Sequence, residues 1–336
     1  MKKVLFASTA LVAFAGAASA EITITGVAEM GIFNADTFVS PGNVASGVTQ
    51  FFTDIDVTFT MSGETDGGLT FGATVDLDEN GAFAPATQGG EVIFISGAFG
   101  TLTMGDTDGA LDWALTEVNF NGGSIADDET EHAGYNGNAG LDGLYDGQIA
   151  RYDYSFGDFG VALSAELDDT NAIGNDDVLG IGFKYNLDLG GTTVGLGLGY
   201  QSASLGNVSV DTLGVSANAS FGGGFSAGLS YVTYDNHVPS IGQYLPARAL
   251  TPGFDTDHIG VGVGYSSGAI SAHLNYGQYD TDAAGGAEFD GIGLSVGYDL
   301  GGGASVVFGY GASSGEVGGV DLGDVDTVSL GVSMSF

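Results

Sequence analysis

The stretch TQFFTDIDVTFTMS, residues 49–62, places apolar and polar side chains at alternating positions. Because successive side chains of a β-strand point to opposite faces, this pattern predicts a strand with one apolar and one polar face. The apolar parity carries Phe51, Ile55, Val57, Phe59 and Met61, and the polar parity carries Asp54, Asp56, Thr58 and Thr60. After a turn at 63–67 the pattern repeats, with Leu69, Phe71, Val75 and Leu77 opposed by Thr70, Thr74, Asp76 and Asp78.

The same alternation continues along the chain. The connections switch between tight glycine-rich turns and longer, mostly acidic loops, and an even number of strands joined in this way is typical of outer-membrane barrels. We therefore predict an all-β protein, a transmembrane antiparallel 16-stranded β-barrel that forms a single domain over 21–336. The sixteen segments lie near 22–34, 49–62, 68–79, 90–98, 101–105, 148–156, 159–168, 178–189, 192–202, 209–221, 225–235, 257–266, 269–279, 288–299, 304–313 and 324–336.

The first twenty residues have the features of an export signal. Lys2 and Lys3 precede an apolar run from Val4 to Ala15, and Ala18-Ser19-Ala20 fits a cleavage site. We predict that residues 1–20 are a cleaved signal peptide and that the remainder is exported. Beyond this segment no apolar run approaches the roughly 20 residues that a membrane helix needs.

The chain is strongly acidic, with 42 Asp and Glu, 5 Lys and Arg and a formal net charge of -37. Only Arg151, Lys184 and Arg248 remain basic after the predicted signal peptide. Such a charge repels nucleic acid and excludes it as a partner. The sequence has no cysteine, so disulfides do not hold the exported chain together.

The alternation stops for one long segment, GDTDGALDWALTEVNFNGGSIADDETEHAGYNGNAGLDGLYDG, residues 105–147. Loops of this length inside a compact fold are usually functional or disordered. We expect the long loop (residues 106–147) to fold into the barrel and narrow it, with Trp113 packing it against the wall; the alternative is a surface loop with solvated charges. The predicted constriction residues are Asp106, Asp108, Asp112, Glu117, Asp127, Asp128, Glu129 and Glu131.

Strand parity also predicts what lines the lumen. The inward positions include Glu29, Asp54, Asp56, Asp76, Asp78, Arg151 and Lys184. Carboxylates crowded in a narrow bore attract cations and repel anions, so we expect a cation-selective lumen; adaptation to a saline medium is the alternative source of this acidity. Inward glycines such as Gly197 and Gly262 are expected to keep the bore open.

Aromatic residues occupy outward positions at the strand ends. Two aromatic belts are what the two lipid interfaces favour. The predicted inner belt is Phe156, Phe221, Tyr265, Tyr298 and Phe336, and the predicted outer belt is Tyr200, Tyr231, Tyr276 and Tyr310.

Four stretches carry a family resemblance: FTMSGETDGGLTFGA at 59–73, ISGAFGTLTMGD at 95–106 followed by Gly109-Ala110, YDLGGGASV at 298–306 and LGV at 330–332. In these stretches the chain resembles the general porins of the outer membrane of Rhodobacter-like alphaproteobacteria, part of the Gram-negative porin superfamily. The resemblance implies a homotrimer of sixteen-stranded barrels whose third long loop folds into the lumen. It also implies calcium bound among acidic loop residues, for which Asp106, Asp108, Asp127, Asp128 and Glu129 are the candidates.

One departure from that family concerns the lumen. Porins of this kind usually set a cluster of arginines opposite the acidic loop. Here only Arg151 and Lys184 have lumenal parity on predicted strands, so a mostly negative pore is expected.

The expected function is a general diffusion porin of the cell outer membrane, a passive water-filled channel for small hydrophilic solutes and ions. It requires no cofactor and is not an enzyme, because no catalytic constellation is recognisable and the four histidines have no spaced partners. The alternative is a structural outer-membrane barrel whose acidic loops bind lipopolysaccharide through divalent cations. A secreted calcium-binding β-solenoid would need a regular repeat, which the variable spacing lacks.

Overall fold

The computed structural model describes residues 20–78, 87–120, 124–126, 129–282 and 285–336, with the backbone alone at 87–89. In these ranges the chain is almost entirely strand. Besides α1 (Ala110–Ala114) it contains β1 (Glu21–Ala35), β2 (Thr37–Ser40), β3 (Asn43–Ala45), β4 (Gln50–Glu64), β5 (Thr70–Asp78), β6 (Thr87–Gly97), β7 (Gly100–Gly105), β8 (Ile149–Phe156), β9 (Phe159–Glu166), β10 (Asp176–Asp188), β11 (Thr193–Leu205), β12 (Val208–Ser220), β13 (Phe225–Val238), β14 (Ala249–Ser267), β15 (Ile270–Thr281), β16 (Ala287–Gly301), β17 (Ala304–Val317), β18 (Val320–Asp321) and β19 (Val325–Ser335).

Sixteen of these described strands, β1, β4–β17 and β19, form one antiparallel sheet that closes on itself. Closure occurs at β1, which pairs with β4 on one side and with β19 on the other. A closed sheet leaves no unpaired strand edge, as a membrane-spanning β-structure requires. The predicted 16-stranded antiparallel barrel is therefore confirmed, and each predicted segment overlaps one of its strands.

The structure departs from the sequence-based segments mainly at the long-loop end of the barrel. The strand predicted at 257–266 begins at Ala249, because Leu250 and Ala249 continue the pairing with His237 and Val238 beyond a register shift. A separate hairpin, β2–β3, lies in the first long loop. The added pairing of β13 with β14 extends the barrel wall on the long-loop side, whereas β2–β3 is a two-stranded sheet apart from the wall.

The two faces of the wall differ in accessibility. Along β14, Ile259, Val261 and Val263 are 43–51% exposed on the outside, whereas His258 on the other parity is 1% exposed. The main hydrophobic core lies inside the barrel, where the long loop meets the wall and the outer loops. Its members include Leu111, Leu115, Val232, Tyr234, Ile241, Tyr244, Tyr279, Phe289, Leu322 and Val325.

The five predicted inner-belt residues lie at or near strand ends on the outer face, whereas the four outer-belt tyrosines lie inside strands that continue past them toward the long loops. Tyr231 donates its hydroxyl to Asp257 at 2.8 Å and Tyr310 donates to Asp326 at 3.3 Å. A tyrosine with its ring on an apolar wall and its hydroxyl on a polar group suits a lipid–water interface. Their contact with lipid stays a prediction.

In the described ranges no helix is long and apolar enough to cross a membrane. The predicted signal peptide at 1–20 falls, except for Ala20, outside the described residues.

Candidate pore and the long loop

The long loop leaves the wall between β7 and β8 and packs on the lumen-facing glycines of other strands. A Cβ atom added to Gly182 or Gly197 would overlap the carbonyl oxygen of Ala110 or Ala114. One added to Gly262 would likewise overlap the carbonyl oxygen of Val118. The expectation that these glycines keep the bore open is therefore wrong. They let the loop backbone approach the strands closely, which a larger side chain would prevent.

The contacts of the loop continue around the barrel. Glu129 lies against Gly293 of β16 and Gly311 of β17, and Ile125 lies against Gly31 and Gly331 where the sheet closes. On the opposite side, the inward Gly72 of β5 meets the carbonyl of Met61 and the ring of Phe94 on the neighbouring strands instead of the loop. The described part of the loop thus covers the inner wall from β9 around to β1 and leaves the inner face of β4 and β5 facing the lumen.

Two carboxylates fix the ends of the loop. Asp142 accepts the backbone N–H of Gly109 at 2.7 Å and the amide of Gln201 at 2.6 Å, which joins the beginning of the loop to its end. Glu166 of β9 is 1% exposed and accepts the N–H groups of residues 144, 145 and 147 at 2.8–3.1 Å. Burial raises the pKa of Asp142 to about 6, although the N–H donors of Gly109 and Gln201 act in the opposite direction.

Between its ends, the loop bonds to polar side chains of the wall. Ser216 of β12 accepts the N–H of Thr116 at 2.9 Å, and Asn275 of β15 donates to the carbonyl of Thr130 at 2.8 Å. Because buried backbone groups are costly without partners, these side chains determine where the loop lies. Further wall side chains with the same role are Ser164, Asn218, His258, His273, Tyr279 and Ser313.

The predicted constriction residues are placed in different environments. Asp106, Asp108 and Glu131 are exposed, while Asp112 and Glu117 are half-buried. Asp127 and Asp128 lie outside the described residues. The predicted set therefore does not act as one uniform acidic rim.

Burial changes the ionisation of the half-buried pair. Burial, followed by the charges of Asp108 and Glu117, raises the pKa of Asp112 to about 8. Burial also raises the pKa of Glu117, whose carboxylate accepts a hydrogen bond from the hydroxyl of Tyr135. At neutral pH Asp112 is therefore largely uncharged, and the loop contributes less negative charge than its sequence suggests.

Glu129 differs most from the prediction, both as a constriction residue and as a metal ligand. Its side chain is 0% exposed and accepts the hydroxyl of Ser124, and it lies against Gly309 of β17. A carboxylate in this position packs between loop and wall and does not border open space. The physical reason is the row of glycines at 293, 309 and 311, which lets this part of the loop sink onto the wall.

All three cations beyond the predicted signal peptide engage the long loop. Arg151 donates to the carbonyl of Asp108 and lies 3.6 Å from Asp153. The ammonium of Lys184 lies 4.4 Å from the ring centre of Trp113, a cation–π distance. Arg248 donates to the carbonyl of Gly140 at 2.7 Å. Trp113 thus packs against the wall as expected, and the guanidinium and ammonium groups are held by the loop.

The acidic wall, defined as Glu29, Asp54, Asp56, Asp76 and Asp78, lies on the side that the loop leaves open. Asp56 pairs across the strands with Asp78, and Glu29 pairs with Asp54. Thr58 donates its hydroxyl to Asp76 at 2.9 Å. Like charges directly opposite each other on a sheet are destabilising, so this arrangement works against barrel stability.

The described residues do not bring the predicted metal ligands together. The group of carboxylates that they do bring together is Asp54, Asp56 and Asp78, each of which offers one oxygen within 4.8 Å of the others. The alternation in the sequence predicts that these three side chains face inward. It does not predict that residues of β4 and β5 lie side by side, because that depends on the register of the two strands. That register is given by the pairing of Asp56 with Asp78.

Glu166, Gln201 and the polar wall side chains under the loop were not identified from the sequence. Their inward parity was visible, as for Glu166 in the segment 159–168. Parity does not distinguish an inward residue that meets water from one that meets a loop, so their anchoring role could not be recognised.

Comparison with known proteins agrees with this architecture. The chain matches the Gram-negative porin family over residues 7–332. It is 29% identical over 332 residues to a porin of Rhodobacter capsulatus, covering 94% of this chain and 100% of that protein.

Two solved structures illustrate the range of similar barrels. A porin structure refined at 1.8 Å superposes with a TM-score of 0.67 and 25% identity, covering 94% of this chain and 100% of that one. An anion-selective porin from Comamonas acidovorans gives a TM-score of 0.65 at 17% identity, covering 95% of this chain and 100% of that one, and shows the fold alone. The family match spans most of the sequence, and the structure has the closed barrel that this family requires: the chain belongs to the Gram-negative porins.

Proposed function

We propose that this porin is a general diffusion channel of the outer membrane that prefers cations over anions. Solutes and ions cross passively through water, with no required cofactor and no chemical step. The observation that carries the preference is the acidic wall: five carboxylates on adjacent strands face the open side of the lumen. Carboxylates lining a pore raise the local cation concentration and repel anions.

The positions of the basic side chains support the same preference for cations. Arg151 and Lys184 are the basic residues on the described barrel strands, and both bond to or stack on the long loop. Their charges partly offset those of Asp108 and Asp112 on the long loop. The barrel alone does not fix the sign, because a similar barrel belongs to an anion-selective porin.

The direct test is the zero-current potential of single channels in planar bilayers under a KCl gradient. The proposal predicts a potential that shows K⁺ to be more permeant than Cl⁻. A potential near zero, or one of the opposite sign, would refute the preference. Swelling of liposomes in small neutral sugars tests the open channel itself, and absence of swelling would favour the structural barrel that binds lipopolysaccharide.

We further propose a homotrimer embedded through its aromatic belts. All 14 tyrosines lie after residue 134, so the outer faces of β1 and β4–β7 carry no tyrosine. Ile22, Ile24 and Met30 are 52–68% exposed on that side. An apolar outer surface without interfacial tyrosines suits contact with other subunits better than contact with lipid headgroups. Native mass spectrometry of the detergent-solubilised protein should give three chains; a monomer would contradict this.

A divalent cation, if the protein takes one, would be held by Asp54, Asp56 and Asp78, since carboxylate oxygens are the ligands that Ca²⁺ prefers. Export through the signal peptide at 1–20 is part of the same proposal. Sequencing the N-terminus of the protein from membranes should give Glu21 as the first residue.

A further inference from the structure

Three histidines meet beneath the middle of the long loop. We call His132 of the loop, His258 of β14 and His273 of β15 the histidine cluster. They are 1–5% exposed. Each makes a hydrogen bond to a loop backbone or amide group whose role as donor or acceptor is fixed by chemistry, which determines the protonation state of the ring.

His273 must be neutral where it meets the loop. Its Nδ1 lies 3.1 Å from the backbone nitrogen of Phe120, whose N–H points at it. A backbone N–H only donates, so Nδ1 has to carry a lone pair. His132 repeats this arrangement, because its Nδ1 accepts the N–H of Gly134 at 3.1 Å.

His258 is fixed in the neutral state from both sides. Its Nε2 lies 2.9 Å from the carbonyl oxygen of Gly134 and therefore carries the proton. Its Nδ1 lies 3.3 Å from Nδ2 of Asn136. The N–H of Asn138 donates to Oδ1 of Asn136 at 2.9 Å, which orients that amide so that its NH₂ group faces the histidine. A second proton on His258 would therefore meet a donor.

The surroundings offer little to stabilise a charged ring. Tyr279 packs against His258 with ring centroids 4.5 Å apart and ring planes tilted by 45°, and Gly291 of β16 and Ser313 of β17 are uncharged. Among the described residues, the acids of this part of the loop are Glu129, which is bonded to Ser124 on the β17 side, Glu131, and Glu117, which is bonded to Tyr135. Asp127 and Asp128 lie outside the described residues. Burial, together with the charges of the other two histidines, lowers the pKa of His132 to about 4, although a hydrogen bond with Asn275 acts in the opposite direction.

We propose that His258 and His273, together with His132, are positioning residues that hold the middle of the long loop, described at 118–120 and 129–136, on the wall only while they are neutral. Protonation sets donor against donor at two contacts between loop and wall, His273 with Phe120 and His258 with Asn136, and at the contact of His132 with Gly134 within the loop. Acid therefore loosens this part of the loop and widens the passage. This inference rests on the proposed channel function, in which the loop limits the size of solutes.

The pH dependence has a definite sign. A histidine of the released loop has an ordinary pKa of 6.5, whereas His132 in the docked loop has a pKa of about 4. The docked state therefore binds fewer protons than the released state, and its advantage is lost as pH falls from about 6.5 to about 4.

Liposome swelling with neutral sugars of increasing size tests the proposal, because uncharged sugars do not respond to titration of the acidic wall. The wild-type channel should admit larger sugars at about pH 4 than at about pH 7, with several-fold faster entry of the largest sugar that enters at neutral pH. The triple variant His132→Asn, His258→Gln, His273→Asn keeps an amide atom at each bonding position and cannot titrate. It should keep the neutral size limit and lose the acid shift.

His237 provides a matched control. It is 1% exposed and bonds to Thr212 and the carbonyl of Asp235, not to the long loop. The variant His237→Asn should retain the full acid shift. An equal acid shift in the triple variant, or a size limit in the wild type that does not change with pH, would overturn the proposal. Sugar entry at neutral pH tests the channel separately, so failure of the two claims can be told apart.

A second measurement is independent of substitutions. Hydrogen exchange of wild-type peptides from 118–136, corrected for the intrinsic effect of pH, should show lost protection at about pH 4 while strands β10–β13 stay protected. Unchanged protection of this segment would also overturn the proposal.

Discussion

The long loop and the acidic wall are both rich in carboxylates, but the structure uses them differently. In the loop, Glu129 and Asp142 are engaged in holding the chain on the barrel, and burial keeps Asp112 largely protonated at neutral pH. On the wall, Asp54 and Asp56 lie half-buried on the open side of the lumen beside Asp78. Acidic composition therefore does not identify the residues that act on ions. We infer that the loop governs the width of the passage and the wall governs the sign of its charge.

The largest expected effect is reversal of selectivity from the wall. The double variant Asp54→Lys, Asp56→Lys replaces two negative charges by two positive ones on the open face. Unit charges about 4 Å apart still interact by about 1 kcal/mol in water, so permeant ions will respond strongly. The zero-current potential in a KCl gradient should change sign. A K⁺ preference that is preserved in this variant would contradict the inference that the acidic wall sets the sign of the selectivity.

The second-largest effect is expected from the loss of the Glu166 clamp, the hydrogen bonds by which Glu166 holds the end of the long loop. Glu166→Leu leaves the N–H groups of residues 144, 145 and 147 without their acceptor. Each buried unsatisfied donor costs about 1–3 kcal/mol, so the end of the loop should detach. Single-channel records should become noisier, with a larger mean conductance and an unchanged sign of selectivity. Glu166→Gln, which keeps one acceptor oxygen, should be intermediate, and a quiet Glu166→Leu channel would contradict the clamp.

A smaller effect is expected where the loop backbone rests on a strand. Gly197→Val would overlap the carbonyl of Ala114 and should destabilise the docked loop by about 1–3 kcal/mol. Gly222→Val is the control, since its nearest neighbour lies 4.0 Å from the added Cβ. Thermal unfolding in detergent and sugar uptake should change for the first variant and not for the second. Equal behaviour of the two would show that the close approach is unimportant.

The smallest effect concerns Asp112. Its pKa of about 8 means that it gains its charge as pH rises from about 7 to about 9. The stability that its protonated form lends to the docked loop is lost as pH rises from about 3.8 to about 8. The K⁺ preference should therefore rise by less than about twofold over this range. Asp112→Asn should show no such rise. A rise that persists in Asp112→Asn would place the titrating group elsewhere.

The barrel could be predicted from the sequence because each strand has one apolar and one polar face. Apolar and polar residues therefore alternate along every strand. The inward parity of Asp54, Asp56, Asp76 and Asp78 followed from the same rule. The inward glycines were misinterpreted for a physical reason. A glycine that leaves space for water and a glycine that lets a backbone pack on it look identical in sequence, and only the contact between Gly197 and Ala114 distinguishes them.

The environment of the loop acids was equally hidden. Glu129 and Glu131 are neighbours in sequence, yet one is fully buried and the other is exposed. Which of them meets water depends on wall residues far away in the chain, such as Gly309, more than 170 residues later. The alternation of apolar and polar residues carries no information about such contacts, because the long loop has no such alternation.

The comparison of wall and loop is tested most directly by two variants of equal charge. Asp54→Asn, Asp56→Asn, Asp78→Asn removes three wall charges, and Asp106→Asn, Asp108→Asn, Glu131→Gln removes three exposed loop charges. The measurement is the zero-current potential of each channel in the same KCl gradient. We predict that the wall variant loses most of the K⁺ preference and that the loop variant keeps most of it. The reverse result would contradict the assignment of selectivity to the acidic wall.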